Sequence, residues 1–164
     1  MRKALAIAAG LVFLAVADWG IWSRERLLAE GRVVLLELAP VDPRSLMQGD
    51  YMALRFKLTG DAFGGVPRSQ VEDGRIVVKL DERGVGAFAR RDDGAPLGAA
   101  EVALRYRVRD GKVKFATNAF FFQEGTADAY AGARYGELRV AADGELLLTG
   151  LRNGKLEPLA PARR

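Results

Sequence analysis

The sequence predicts a mainly β protein: an N-terminal membrane helix followed by an antiparallel β-sandwich or partly closed barrel with one short helix. Three observations carry that prediction. An apolar run opens the chain, the hydrophobic period changes from helical to two after residue 31, and Asp-Gly or Asn-Gly pairs recur between short alternating segments. The chain divides accordingly into a membrane anchor with a juxtamembrane helix at 1–31, an extracytoplasmic β-domain at 32–160 and a tail at 161–164.

The opening "MRKALAIAAGLVFLAVADWGIW" places two cations before an apolar stretch. Residues 4–22 would span about 28 Å as a helix, against a hydrocarbon core of roughly 30 Å. Trp19 and Trp22 suit the outer interface, and Asp18 sits close enough to the end of the span to reach headgroups and water. A signal peptide cleaved after Ala17 is the competing reading, because Ala15-Val16-Ala17 is a small-x-small site. The continuation "WSRERLLAEG" favours the anchor, since it prolongs the helix to a stop at Gly31. Arg2 and Lys3 then keep the N-terminus in the cytoplasm and the body outside, in the periplasm at the inner membrane.

From residue 32 the segments are strands. "RVVLLELA" is apolar on both faces apart from Glu37 and reads as an interior strand. "YMALRFKL" alternates, with Met52, Leu54, Phe56 and Leu58 on one face, and is expected to be a strand over 51–58. A Gly-rich loop leads to "RIVVKL", and "DERG" turns the chain into "VGAFARR". "EVALRYRV" and "VKFA" flank the Asp110-Gly111 turn of the clearest hairpin, with Val102, Leu104, Tyr106 and Val108 inward. "AFFFQEG" is a further short strand. "TADAYAGAR" is the expected short helix, capped by Thr126, with Tyr130 and Tyr135 packing it on the sheet. "YGELRV" and "ELLLTGL" complete eight or nine strands.

Composition narrows the chemistry. There is no cysteine and no histidine, which excludes Cys/His zinc sites, cysteine nucleophiles and imidazole bases. No metal centre or cofactor is expected. The formal charge of +4 is carried entirely by Arg2, Lys3, Arg163 and Arg164, so the middle of the chain is balanced and no nucleic-acid partner is expected.

The stretch "PVDPRSLMQGDYMALRF" concentrates the candidate site residues. Pro40 ends a strand, Asp42 before Pro43 suits an N-cap, and Gly49 with Asp50 reverses the chain into Tyr51. Arg44 lies between two acids, Asp42 and Asp50, and an Arg–carboxylate fork would lock the corner. Asp42, Arg44, Gly49, Asp50 and Tyr51 are therefore expected to form either a structural corner or a partner-binding one.

The run "GDYMALRF" resembles the signature of the GDYXXLXY family of membrane-anchored proteins of unknown function. "PVDPRSLMQGDY" and "FFFQEGTADAYAGARYGELRV" resemble it too, with Phe56 standing where the family name has tyrosine. The resemblance implies an anchored extracytoplasmic β-domain associated with multi-pass membrane proteins, and it supplies no catalytic residues. "VDPRSLMQGD" also resembles the nucleophile segment of type I signal peptidases at Leu46, Gly49 and Asp50. The nucleophile position there is Val41, so a Ser–Lys mechanism would have to recruit Ser45 with Lys57 or Lys79.

Two further sets of residues stand out. Glu124, beside three phenylalanines, reads either as an acid or base with a raised pKa or as an exposed turn residue. Arg105 and Arg107, with Arg109, Lys112 and Lys114, share the outer face of one hairpin and read either as a basic patch or as a solvated guard on a sheet edge. The expected function is a non-enzymatic accessory or binding module held at the membrane and docked on an integral membrane protein. The alternatives are a Ser–Lys or carboxylate hydrolase and a small-ligand binder at the barrel mouth.

Overall fold

Helix α1 runs from Arg2 to Glu30 in the computed structural model, which describes residues 2–39, 47–48, 51–67, 70–117 and 119–161. Its apolar side chains from Leu11 to Trp22 face outward: Leu11, Val12, Phe13 and Val16 are each more than half exposed. Only near its end does the helix meet the body, where Leu27 is buried. Among the described residues no helix is long and apolar enough to cross a membrane.

The body is mainly antiparallel β-sheet. Strands β1 (Arg32–Glu37), β9 (Tyr135–Val140), β10 (Leu146–Arg152) and β11 (Pro158–Leu159) lie side by side in that order. A second sheet orders β2 (Met47–Gln48), β3 (Tyr51–Ala53) and β8 (Ala119–Phe121). The third orders β5 (Gly86–Arg91), β4 (Gly74–Leu80), β6 (Glu101–Arg109) and β7 (Lys112–Lys114). Bridges join their edges, Leu35 to Val85 between the first and third sheets and Leu38 to Phe56 between the first and second. Val85 bridges the free edge of β1, and the strand buries Val34, Leu35 and Leu36 in succession while Val33 stays 38% exposed. One core results, with Val34, Leu36, Met52, Leu54, Ile76, Leu104, Phe115, Leu138 and Leu151 among its members.

The expected hairpin is present. Asp110 and Gly111 both take positive φ, 54° and 65°, which is the backbone a two-residue turn with the right twist demands. Elsewhere the structure corrects the sequence reading. The strand expected over 51–58 keeps its alternating burial but ends early, and Lys57–Phe63 form helix α2. Leu58, Ala62 and Phe63 supply its buried face, and the Phe63 ring packs edge-on against Tyr106 at 4.8 Å. The one short helix expected in the body, over 126–134, is a single 3-10 turn, Ala127–Tyr130, and Thr126 makes no side-chain cap. Its hydroxyl donates back to the Gln123 carbonyl at 2.6 Å instead. Tyr130 does pack as expected, stacking on Phe122 and meeting Phe120 edge-on.

Loop carboxylates hold the turns. Asp73 lies below its ordinary pKa because the Val108 N–H donates to it at 2.6 Å, with Arg109 adding to the effect. Asp81, Asp93 and Glu101 are lowered in the same way, chiefly by the N–H groups of Val85, Ala95 and Gly98. A carboxylate depressed by folding adds stability above its unfolded pKa of about 4, and that stability is lost as pH falls through the folded value. Thermal melts of the full chain should therefore be flat from pH 7 to about 5 and decline gently below about pH 4, since these exposed groups are screened by solvent. A melting temperature unchanged down to pH 2.5 would show that these bonds do not hold in solution.

Candidate functional site

The signature segment divides by alternation into a buried and an outward half. Met52, Leu54 and Phe56 point into the core, all under 5% exposed. Phe56 lies edge-on to Phe115 at 6.3 Å and packs so closely over Gly136 that a Cβ there would meet its ring at 2.9 Å. Tyr51 takes the other face. Its cross-strand partner in β8 is Phe121, and the two rings sit 5.9 Å apart in a tilted pair. Phe121 is 74% exposed, far above the other outward apolar side chains described in the β-body, Leu97 and Val33. Its neighbours Phe120 and Phe122 turn inward to Tyr130, so strand alternation forces one phenylalanine of the three outward.

Asp42, Arg44, Gly49 and Asp50 lie outside the described residues, and so do Ser45 and Val41. The residue that sequence reasoning missed is Phe121. The signal for it was the period-two alternation through "AFFFQ", which needed the cross-strand register to place it beside Tyr51.

The basic hairpin is drawn into ion pairs from other elements. Arg105 and Arg107 both reach Glu145, at 3.8 and 3.2 Å, and Arg109 reaches Asp73 at 3.3 Å. Glu145 is presented by the turn between β9 and β10, where Gly144 at φ +86° lets its carbonyl accept the Arg105 N–H at 2.9 Å. Arg24 of α1 approaches the same carboxylate at 4.0 Å, so one acid gathers three cations at the joint between helix and body. These pairs are half exposed and are worth little individually. The joint is closed instead by packing: Leu27 is buried, and the Arg139 guanidinium donates to the Gly31 carbonyl at 3.1 Å.

Groups that a hydrolase would use are differently disposed. Lys57 donates to Glu37 at 3.0 Å, and that hydrogen bond, with the attraction of the same carboxylate, raises its pKa. A general-base lysine needs the opposite shift. Lys79 is exposed on β4, its register partners Ala87 and Glu101. Glu124 is exposed beside Gly125, whose φ of +76° makes this the turn residue of its two readings.

Over the described part of the signature run, 51–56, Tyr51 turns outward while Met52, Leu54 and Phe56 are buried. The model of the GDYXXLXY protein family matches residues 13–151, which covers most of α1 and nearly all of the β-body. The chain belongs to the GDYXXLXY family. No curated protein and no solved structure matches it.

Proposed function

We propose that the protein is an accessory module held at a membrane by α1, with its β-domain on the extracytoplasmic side, where it docks on an integral membrane protein through the Tyr51–Phe121 face. The observation that carries the reading is the exposed Phe121 ring paired with the signature tyrosine. Leaving such a ring in water forgoes about 25 cal/mol for each Å² of apolar surface, and aromatic anchors of this kind dominate protein interfaces. The anchor rests on residues 4–22, a helical run with Asp18 as its one charge, and on apolar side chains that the body leaves uncovered. Strand β1 then carries the chain about 23 Å from Gly31 to the Leu38–Phe56 bridge, at 3.3 Å per residue. The docking face is thus joined to the end of β1 far from the helix and suits the part of a partner that stands outside the bilayer.

A photo-reactive amino acid at position 121, and at Leu97 as a control, tests this in native membranes. The expected result is a crosslinked adduct with a multi-pass protein from position 121 only, lost when Tyr51→Ala is added. Equal adducts from both positions, or adducts with soluble proteins alone, would refute the docking face. Resistance of the full chain to alkaline extraction tests the anchor separately.

A further inference from the structure

We propose that the cleft between α2, β3 and the β6–β7 hairpin binds a single-chain anionic amphiphile, with the hydrocarbon inside and a carboxylate or phosphate at the rim. The cleft encloses about 670 Å³, within the range of small-molecule sites. Its floor is the core beneath it, where Leu54, Phe56 and Phe63 are buried, and Val66, Val71, Val108 and the hydroxyl-bearing Thr59 line it as well. The charged side chains lining it among the described residues are Arg55 and Lys112, both exposed and both cationic, and neither has an acidic partner there.

That combination selects the ligand. A polar metabolite would set part of its hydroxyls against the buried Leu54, Phe56 and Phe63 side chains, which offer no hydrogen-bond partner, and that part is costly. A neutral hydrocarbon would leave the two cations unused. An acyl chain with an anionic end satisfies both parts, its tail desolvated on the floor and its head reached by the long stems of Arg55 and Lys112. Free fatty acids and lysophospholipids share this chemistry. The inference is independent of the docking face, since Tyr51 and Phe121 do not line the cleft.

Gly60 provides a blocking variant. It lies on α2 at the cleft, and a Cβ added there meets nothing within 4 Å, so Gly60→Leu should fill space without unfolding the chain. Calorimetric titration of the full chain in amphipol, with dodecanoate, dodecyl phosphate and dodecyltrimethylammonium below their micellar concentrations, gives the test. Saturable one-to-one binding is expected for the two anions, at least tenfold weaker for the cation. Gly60→Leu, and separately Arg55→Gln with Lys112→Gln, should each weaken the anions at least tenfold without lowering the melting temperature, which Gly60→Leu should if anything raise by removing a helical glycine. Tighter binding of dodecanoate would assign a free fatty acid, and tighter binding of dodecyl phosphate a lipid headgroup. Non-saturable uptake, equal binding of all three probes, or indifference to both variants would overturn the proposal.

Discussion

Replacing Phe56 with alanine should lower the stability of the chain by about 3–5 kcal/mol, a large part of the 5–15 kcal/mol typical of a whole domain. The ring is 4% exposed and sits where three parts of the core meet. The Phe56 backbone bridges Leu38 just past β1, and the ring crosses Phe115 edge-on and covers Gly136 of β9. Nothing small can collapse into that space without parting the sheets, so the cavity term adds to the lost burial. Urea melts give the number directly. A second measurement separates this packing from general damage. Gly136→Ala should destabilise by about 1–3 kcal/mol, because its Cβ would meet the Phe56 ring at 2.9 Å and Leu148 at 3.2 Å. Adding Phe56→Leu should recover part of that loss, since the smaller side chain vacates the contact. Strict additivity of the two substitutions would show that the ring does not pack against Gly136.

The same residue shows where sequence reading succeeds. Alternation through 51–56 assigned Met52, Leu54 and Phe56 to the core and Tyr51 and Arg55 outward, and burial follows that pattern. It broke at Lys57, because Leu58, Ala62 and Phe63 fit a helical face as well as Leu58 fits a strand. Gly60 also argues locally against a helix by about 1 kcal/mol. Packing of Phe63 on Tyr106, more than 40 residues away in sequence, decided the matter. The hairpin at 110–111 was legible because Asp-Gly is a local signal. The strands β2 and β11, two residues each, have no period to read.

Site pairings were harder for the same physical reason. Tyr51 was conspicuous, but its partner Phe121 is set by the register of a strand 70 residues later. Arg105 and Arg107 were rightly placed on an outer face, whereas the acid that gathers them, Glu145, comes from a turn in another sheet. Local chemistry names the residues, and only the long-range register tells which of them meet.

The joint between α1 and the body carries the other large prediction. Gly31→Val should cost at least about 1–3 kcal/mol and loosen the helix from the sheet. A Cβ at Gly31 would lie 2.4 Å from the Leu27 carbonyl oxygen, 2.9 Å from the Leu27 side chain and 3.1 Å from the Arg139 Cβ. The first of these is backbone and cannot swing aside, so the Gly31 N–H to Leu27 carbonyl bond at 3.0 Å must open or the strand must move. Trypsin reads the result, because Arg24, Arg26 and Arg32 flank the joint. Cleavage there should accelerate several-fold while cleavage at Arg75, inside β4, keeps pace with global unfolding. Arg24→Ala provides the contrast, since its ion pair with Glu145 is long and exposed and its loss should change little. If Gly31→Val melts and cleaves like the parent chain, the helix is a loose tether. For the docking proposed above, a stiff joint would fix the angle at which the body stands on α1, and hence where Tyr51 and Phe121 are presented. Gly31→Val should then weaken crosslinking from position 121 even though no docking residue has changed.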